Sequence, residues 1–169
     1  MKRLANKIDA LTEKIGSGVA WLTSAMVLVV MYDVCVRYAF NSTNPAMVEL
    51  EWHLFAFLFL LAAGYTLKHD RHVRVDVFYS RMSKKHQGLI NFLGTLLFTI
   101  PFSVVAIMTS WTFVANSFAV SETSPDPGGL PMRYLIKAAI PVGFALIILQ
   151  SISLLIRSWQ DWQEQQEVA

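Results

Sequence analysis

Four apolar stretches, about 15–36, 47–67, 89–115 and 134–156, decide what this chain can become. Each reaches or exceeds the roughly 20 residues that a helix needs to cross a hydrocarbon core of about 30 Å. Lipid offers no partner to a free backbone N–H or C=O, so each stretch must close its own hydrogen bonds as a helix. The runs are continuous rather than alternating, which excludes barrel strands. The sequence therefore predicts an all-α integral membrane protein: four transmembrane helices in a single membrane domain over residues 1–169. Charged residues are only 15% of the chain, against roughly 25% in a soluble domain.

Basic residues set the direction of insertion. Lys2, Arg3, Lys7 and Lys14 precede the first run. Lys68, Arg71, Arg74, Arg81, Lys84 and Lys85 lie between the second and third, and Arg157 follows the fourth. The opposite ends hold only Arg37, Arg133 and Lys137. The rich side is expected to be cytoplasmic, which places both termini of a multi-pass chain inside. The net charge of +2 gives no sign of a nucleic-acid partner. Trp21, Trp52, Trp111, Trp159 and Trp162 fall near span ends, where amphipathic rings favour the headgroup level. The N-terminal segment reads as part of the first span rather than a cleaved leader, because its run is too long and no small-residue cleavage site closes it.

Two segments are expected to lie on the membrane surface. Leu4, Ile8, Leu11 and Ile15 follow helical spacing ahead of span one. Val75, Phe78, Tyr79 and Met82 repeat that pattern in the cytoplasmic loop, where Tyr79, Arg81, Lys84 and Lys85 are expected to anchor to anionic headgroups. Asp76 is a candidate cap there. Pro101 and Pro141 each remove a backbone donor and are expected to kink their spans, for movement or for static fit. The single cysteine, Cys35, is expected as a small buried thiol.

Ionisable residues near a bilayer are expensive, so each needs a reason. Asp33 and Arg37 are one helical turn apart at the outer end of span one. Glu49 and Glu51 open span two, and Lys137 begins span four. These five form a candidate polar cluster: an ion or substrate site, a network clamping the helices, or a subunit contact. No acid occupies a span centre, as a proton-coupled carrier would require. Only His53 lies within a span, which argues against a bis-histidine haem, and His69 with His72 lacks a further ligand set for a metal. No nucleotide loop, nucleophile elbow or zinc motif points to an enzyme. The outer loop runs SETSPDPGGLP from Ser121, and its prolines and glycines predict a defined turn. Glu122, Asp126, Gly128, Gly129, Leu130, Pro131 and Arg133 form a candidate docking surface there, although a plain helix connector needs similar chemistry.

Three blocks carry a resemblance. Arg37-Tyr38 is followed by Glu49-Leu50-Glu51-Trp52, His72 to Val77 read HVRVDV, and Ser124 to Phe144 read SPDPGGLPMRYLIKAAIPVGF. With the size and four spans, they resemble the small, DctQ-like membrane subunit of tripartite ATP-independent periplasmic (TRAP) transporters over nearly the whole chain. The resemblance implies pairing with a large membrane subunit that carries organic acid and sodium, and a periplasmic substrate-binding protein that delivers the acid. It implies no cofactor, and a stationary scaffold role for the small subunit. The third block looks closest to the branch associated with 2-oxo acids and other monocarboxylates. The alternative is a self-sufficient homo-oligomeric carrier, for which Asp33 is the candidate acid.

Overall fold

The computed structural model describes residues 2–69, 79 and 81–164, with the side chains of Lys84, Asp161 and Glu164 excepted. Helix α1 (Lys2–Phe40) is followed by α2 (Pro45–Lys68) and α3 (Lys84–Gly94). A π-helical turn (Thr95–Thr99) joins α3 to α4 (Ile100–Ala119), and α5 (Arg133–Glu164) completes the chain. Four of the helical stretches are long and apolar enough to cross a membrane: α1, α2, the rod Lys85–Ala119 and α5. Among the described residues the regular structure is entirely helical.

Helix α5 is the hub of the bundle, packing against α1, α2, α3 and α4, while α1 also packs on α2. The packing is inverted relative to a water-soluble core. Ser103, Ser117, Ser151 and Ser153 are the most completely buried side chains, whereas Trp21, Phe98, Phe102 and Met108 face outward. Lipid tails are as apolar as leucine, so large apolar side chains gain nothing by turning inward, and small residues win the interface by letting backbones approach. Gly143 on α5 lies against the Leu60 carbonyl of α2, and Gly64 on α2 lies against the Leu146 carbonyl of α5. A Cβ at Gly143 would stand 2.6 Å from the Leu60 oxygen.

The expected surface helix before span one is not a separate element. Helix α1 runs unbroken for 39 residues, a length of about 58 Å, so it passes well beyond one face of the hydrocarbon core. Its inward stripe is Ala5, Ile8, Thr12, Gly16 and Val19, while Leu4 and Leu11 are exposed. Polar contacts from α5 explain the difference. Asp9 accepts hydrogen bonds from Ser153 at 2.6 Å and Gln150 at 2.9 Å and pairs with Arg157. Thr12 donates to Gln150 at 2.7 Å, and Glu13 pairs with Lys68 of α2. The proposed surface helix of the loop, with Asp76 and the HVRVDV block, lies outside the described residues except for Tyr79, Arg81 and Met82.

Pro101 acts through its surroundings. The Ile100 N–H reaches back to the Thr95 carbonyl, so Pro101 follows directly on a wider π turn within the continuous rod Lys85–Ala119. Pro141 sits inside α5 without interrupting it. Cys35 is exposed on the outside of α1 rather than buried, in keeping with the inverted packing.

Candidate functional site

The ends of α1, α2, α4 and α5 that carry the SETSPDPGGLP loop form a built polar structure, and its centre is Glu49. Helix α2 begins cleanly because Asn44 caps it, its side chain accepting from the Ala46 N–H at 3.0 Å, and Pro45 supplies the first helical residue. Asn41, with φ 49°, reverses the chain after α1. This start places Glu49 one turn into α2 and turns it inward, where it is 4% exposed.

Three groups converge on that carboxylate. The Ser124 hydroxyl donates to Oε1, the Leu130 N–H donates to Oε2 at 2.6 Å, and Arg133 donates to Oε1 at 3.1 Å. The loop closes around the same point. Ser124 N–H donates to the Leu130 carbonyl at 3.1 Å and Gly129 N–H to the Asp126 carbonyl at 2.9 Å. Asp126 N–H donates to the Ser124 hydroxyl at 3.1 Å. Gly128 adopts φ 82°, a conformation that glycine tolerates and other residues resist. Gly129 is required by space, since a Cβ would fall 2.4 Å from Ser124 Oγ and 2.8 Å from Glu49 Oε2.

A second tie fixes the base of the loop. Glu122 pairs with Lys137, and the Glu122 carbonyl accepts the Arg133 N–H at 2.9 Å. The Lys137 ammonium beside it holds the Glu122 carboxyl below its ordinary range. The cations also meet rings: the Lys137 ammonium is 4.0 Å from the Phe113 ring centre, and the Arg133 guanidinium is 5.8 Å from that of Trp52. His53, one turn below Glu49, is buried and its Nδ1–H donates to the Glu49 carbonyl at 2.6 Å.

The structure therefore regroups the residues singled out in the sequence. Glu49 belongs with the loop residues Leu130 and Arg133, and Lys137 belongs with Glu122. Asp33 and Arg37 pair with each other on α1, Asp33 buried and Arg37 exposed. Glu51 makes no ion pair among the described residues. Asp126, Gly128 and Pro131 stay on the exposed surface. At the far end of the bundle, the Tyr79 hydroxyl accepts from Asn91 at 2.8 Å, and Arg81 is exposed beside the start of α3, where Lys84 and Lys85 stand. Sequence reasoning missed Ser124, Trp52 and Phe113. A signal existed for Ser124, since a serine two residues before Asp126 is placed to make a local side-chain turn; the two rings gave none. Among the described residues, no group of three or more His, Cys, Asp or Glu is placed to hold a metal ion.

This arrangement spends its polar groups on holding one loop conformation across three helices. Comparisons with known proteins agree on where such a chain sits. The family model described as the DctQ component of tripartite ATP-independent periplasmic transporters matches residues 26–161. The C4-dicarboxylate TRAP transporter small permease protein DctQ of Vibrio cholerae is 22% identical over 162 residues, covering 84% of this chain and 68% of that one. A protein of Haemophilus influenzae named as a TRAP transporter small permease is 28% identical over 154 residues, covering 90% of this chain and 92% of its own length.

Proposed function

The chain belongs to the DctQ family, the small permease subunits of TRAP transporters, and from that premise we propose that it is the non-carrying scaffold of a sodium-coupled organic-acid importer. In this reading it pairs with a large membrane subunit through its outward apolar faces. Both termini lie in the cytoplasm in this reading, which the distribution of lysine and arginine supports, and the Glu49-bound loop faces the periplasm. There it helps to receive the substrate-binding protein.

The observation that carries this reading is the convergence of Ser124, Leu130 and Arg133 on the buried Glu49 carboxylate. A loop already fixed in one conformation loses little freedom when a partner binds, which favours docking. Exposed Asp126 and Pro131 stand on that fixed frame. The relative from Vibrio cholerae is named for C4-dicarboxylates, which supports a carboxylate as cargo; selectivity among acids belongs to the other two subunits. A self-sufficient carrier has less support, because its candidate acid, Asp33, is held by Arg37.

Co-expression with the large subunit tests the reading. An affinity tag on this chain is expected to bring the large subunit with it. Liposomes holding both, given binding protein, substrate and a sodium gradient, are expected to take up substrate, and those lacking any one component are not. Uptake by this chain alone would refute the assignment.

A further inference from the structure

Beside the clamp lies a groove of about 400 Å³ between the start of α2 and the loop. Thr43, Pro45, Val48 and Trp52 form one side and Asp126 and Pro127 the other, all of them exposed. Glu49 and Arg133 form the floor. Charges at this end of the bundle do not balance. Each cation already has an acid: Arg37 holds Asp33, Arg133 holds Glu49 and Lys137 holds Glu122. Glu51 and Asp126 are left without a cation among the described residues, so this end carries surplus negative charge. Within the groove the floor is neutral, because Glu49 matches Arg133, and the net charge comes from Asp126. The loop uses only the backbone of Asp126, through Ser124 Oγ and Gly129 N–H. Its carboxylate remains uncommitted.

Resting on the docking role proposed above, we infer that this groove receives a lysine or arginine side chain of the substrate-binding protein, whose cation pairs with the Asp126 carboxylate while its stem lies on Pro45, Val48 and Pro127. Long cationic side chains lay their methylene groups along apolar surface and keep the charged head in water, and the groove offers both surfaces at an aqueous rim. A bare metal ion needs several oxygen ligands, and Asp126 is the one uncommitted carboxylate here. An anionic lipid headgroup is repelled by the same carboxylate. The surplus negative charge around the groove draws a basic surface toward it and speeds encounter. Because Glu49 holds the loop, Asp126 and Pro127 are in place before the partner arrives, which lowers the ordering cost of binding.

The test uses this chain assembled with the large subunit in lipid nanodiscs, with the substrate-binding protein as the probe. Its dissociation constant is expected to rise as potassium chloride increases from about 0.05 to about 0.5 M, because salt screens an exposed pair. Asp126→Asn keeps the shape and removes the charge. It is expected to weaken binding about two- to fivefold, the range of an exposed ion pair, and to flatten the salt dependence. Val48→Trp fills the groove with the charge left intact and is expected to weaken binding as well; Thr43→Trp blocks the same groove from the α1–α2 turn and serves if the first variant folds poorly. Asp126→Lys is expected to regain affinity when one lysine or arginine of the binding protein is changed to glutamate. A photo-crosslinking residue at Val48 is expected to label the binding protein. Binding that ignores salt and every groove variant overturns the inference and leaves the scaffold reading standing, and so does a crosslink from Val48 to the large subunit. Failure of the binding protein to bind the unmodified complex at all overturns the docking role itself.

Discussion

The Glu49 carboxylate, on the first turns of α2, accepts the backbone N–H of Leu130 at 2.6 Å across 81 positions of sequence. A side chain that binds a loop backbone fixes the loop's shape, whatever the loop's own side chains prefer. Replacing Glu49 by Ala leaves Arg133 without its counter-ion and Leu130 N–H without its acceptor. Glu49→Ala is expected to lower the melting temperature of the purified chain and to abolish uptake by the assembled transporter, with Glu49→Gln milder in both. Gly129→Ala attacks the same contact from the other side and is expected to cost about 1–3 kcal/mol, the usual range for an overpacked site. Thermal melts of the three variants check this, and unchanged melts would show that the clamp does not hold the loop.

Helix contact in the membrane rests on backbone proximity, and Gly143 provides a measure of it. An added Cβ would press on the Leu60 carbonyl at 2.6 Å, and backbone cannot swing aside as a side chain can. Gly143→Ala is expected to destabilise by about 1–3 kcal/mol. Gly18 is the control, because a Cβ there meets nothing within 4 Å. Gly18→Ala is expected to be neutral or to stabilise by up to about 1 kcal/mol, since alanine suits a helix better than glycine. Denaturation of both variants in one detergent decides the matter by the sign of the difference.

Glu122 gives the loop a dependence on acid. The hydrogen bond from Lys137 is the largest cause of its lowered pKa, from an ordinary 4.5. A carboxylate whose folded pKa lies below its unfolded value adds stability that is complete above the unfolded pKa. That stability is lost as pH falls through the folded pKa. The melting temperature of the native chain is therefore expected to exceed that of Glu122→Gln near neutrality. The gap is expected to close as pH drops below about 4.5 and the carboxyl protonates. A gap that persists at low pH would place the effect of the substitution elsewhere.

The four spans were legible in the sequence because lipid leaves a long apolar run one way to satisfy its backbone. The side-chain pairings were not. Glu49 to Leu130 and Asp9 to Ser153 join residues that only the packing of α5 brings together. The inward face of α1 carried no periodic signal, because small and polar residues such as Ala5, Thr12 and Gly16 form it; of the stripe expected at the membrane surface, Leu4 and Leu11 do face out and Ile8 turns in. The π turn before Pro101 was hidden too, since proline announces a missing donor and not how the preceding turn absorbs it.

Docking and orientation meet at Asp126. Its side chain is exposed, and only its backbone serves the loop, through Ser124 Oγ and Gly129 N–H. Glu122, by contrast, is tied to Lys137, so reversing its charge disturbs folding and docking together. Asp126→Lys is therefore the cleaner probe. It is expected to change stability by no more than about 0.5 kcal/mol, as exposed substitutions do, while raising severalfold the concentration of binding protein needed for half-maximal uptake. In a Cys35→Ser background, Asp126→Cys is expected to react with a membrane-impermeant thiol reagent added to whole cells with a permeable outer membrane. Ser83→Cys, at the start of α3, is expected to react only after the inner membrane is opened. The reverse pattern would turn the protein over in the bilayer, and the loop that Glu49 holds would then face a cytoplasmic partner instead of the substrate-binding protein.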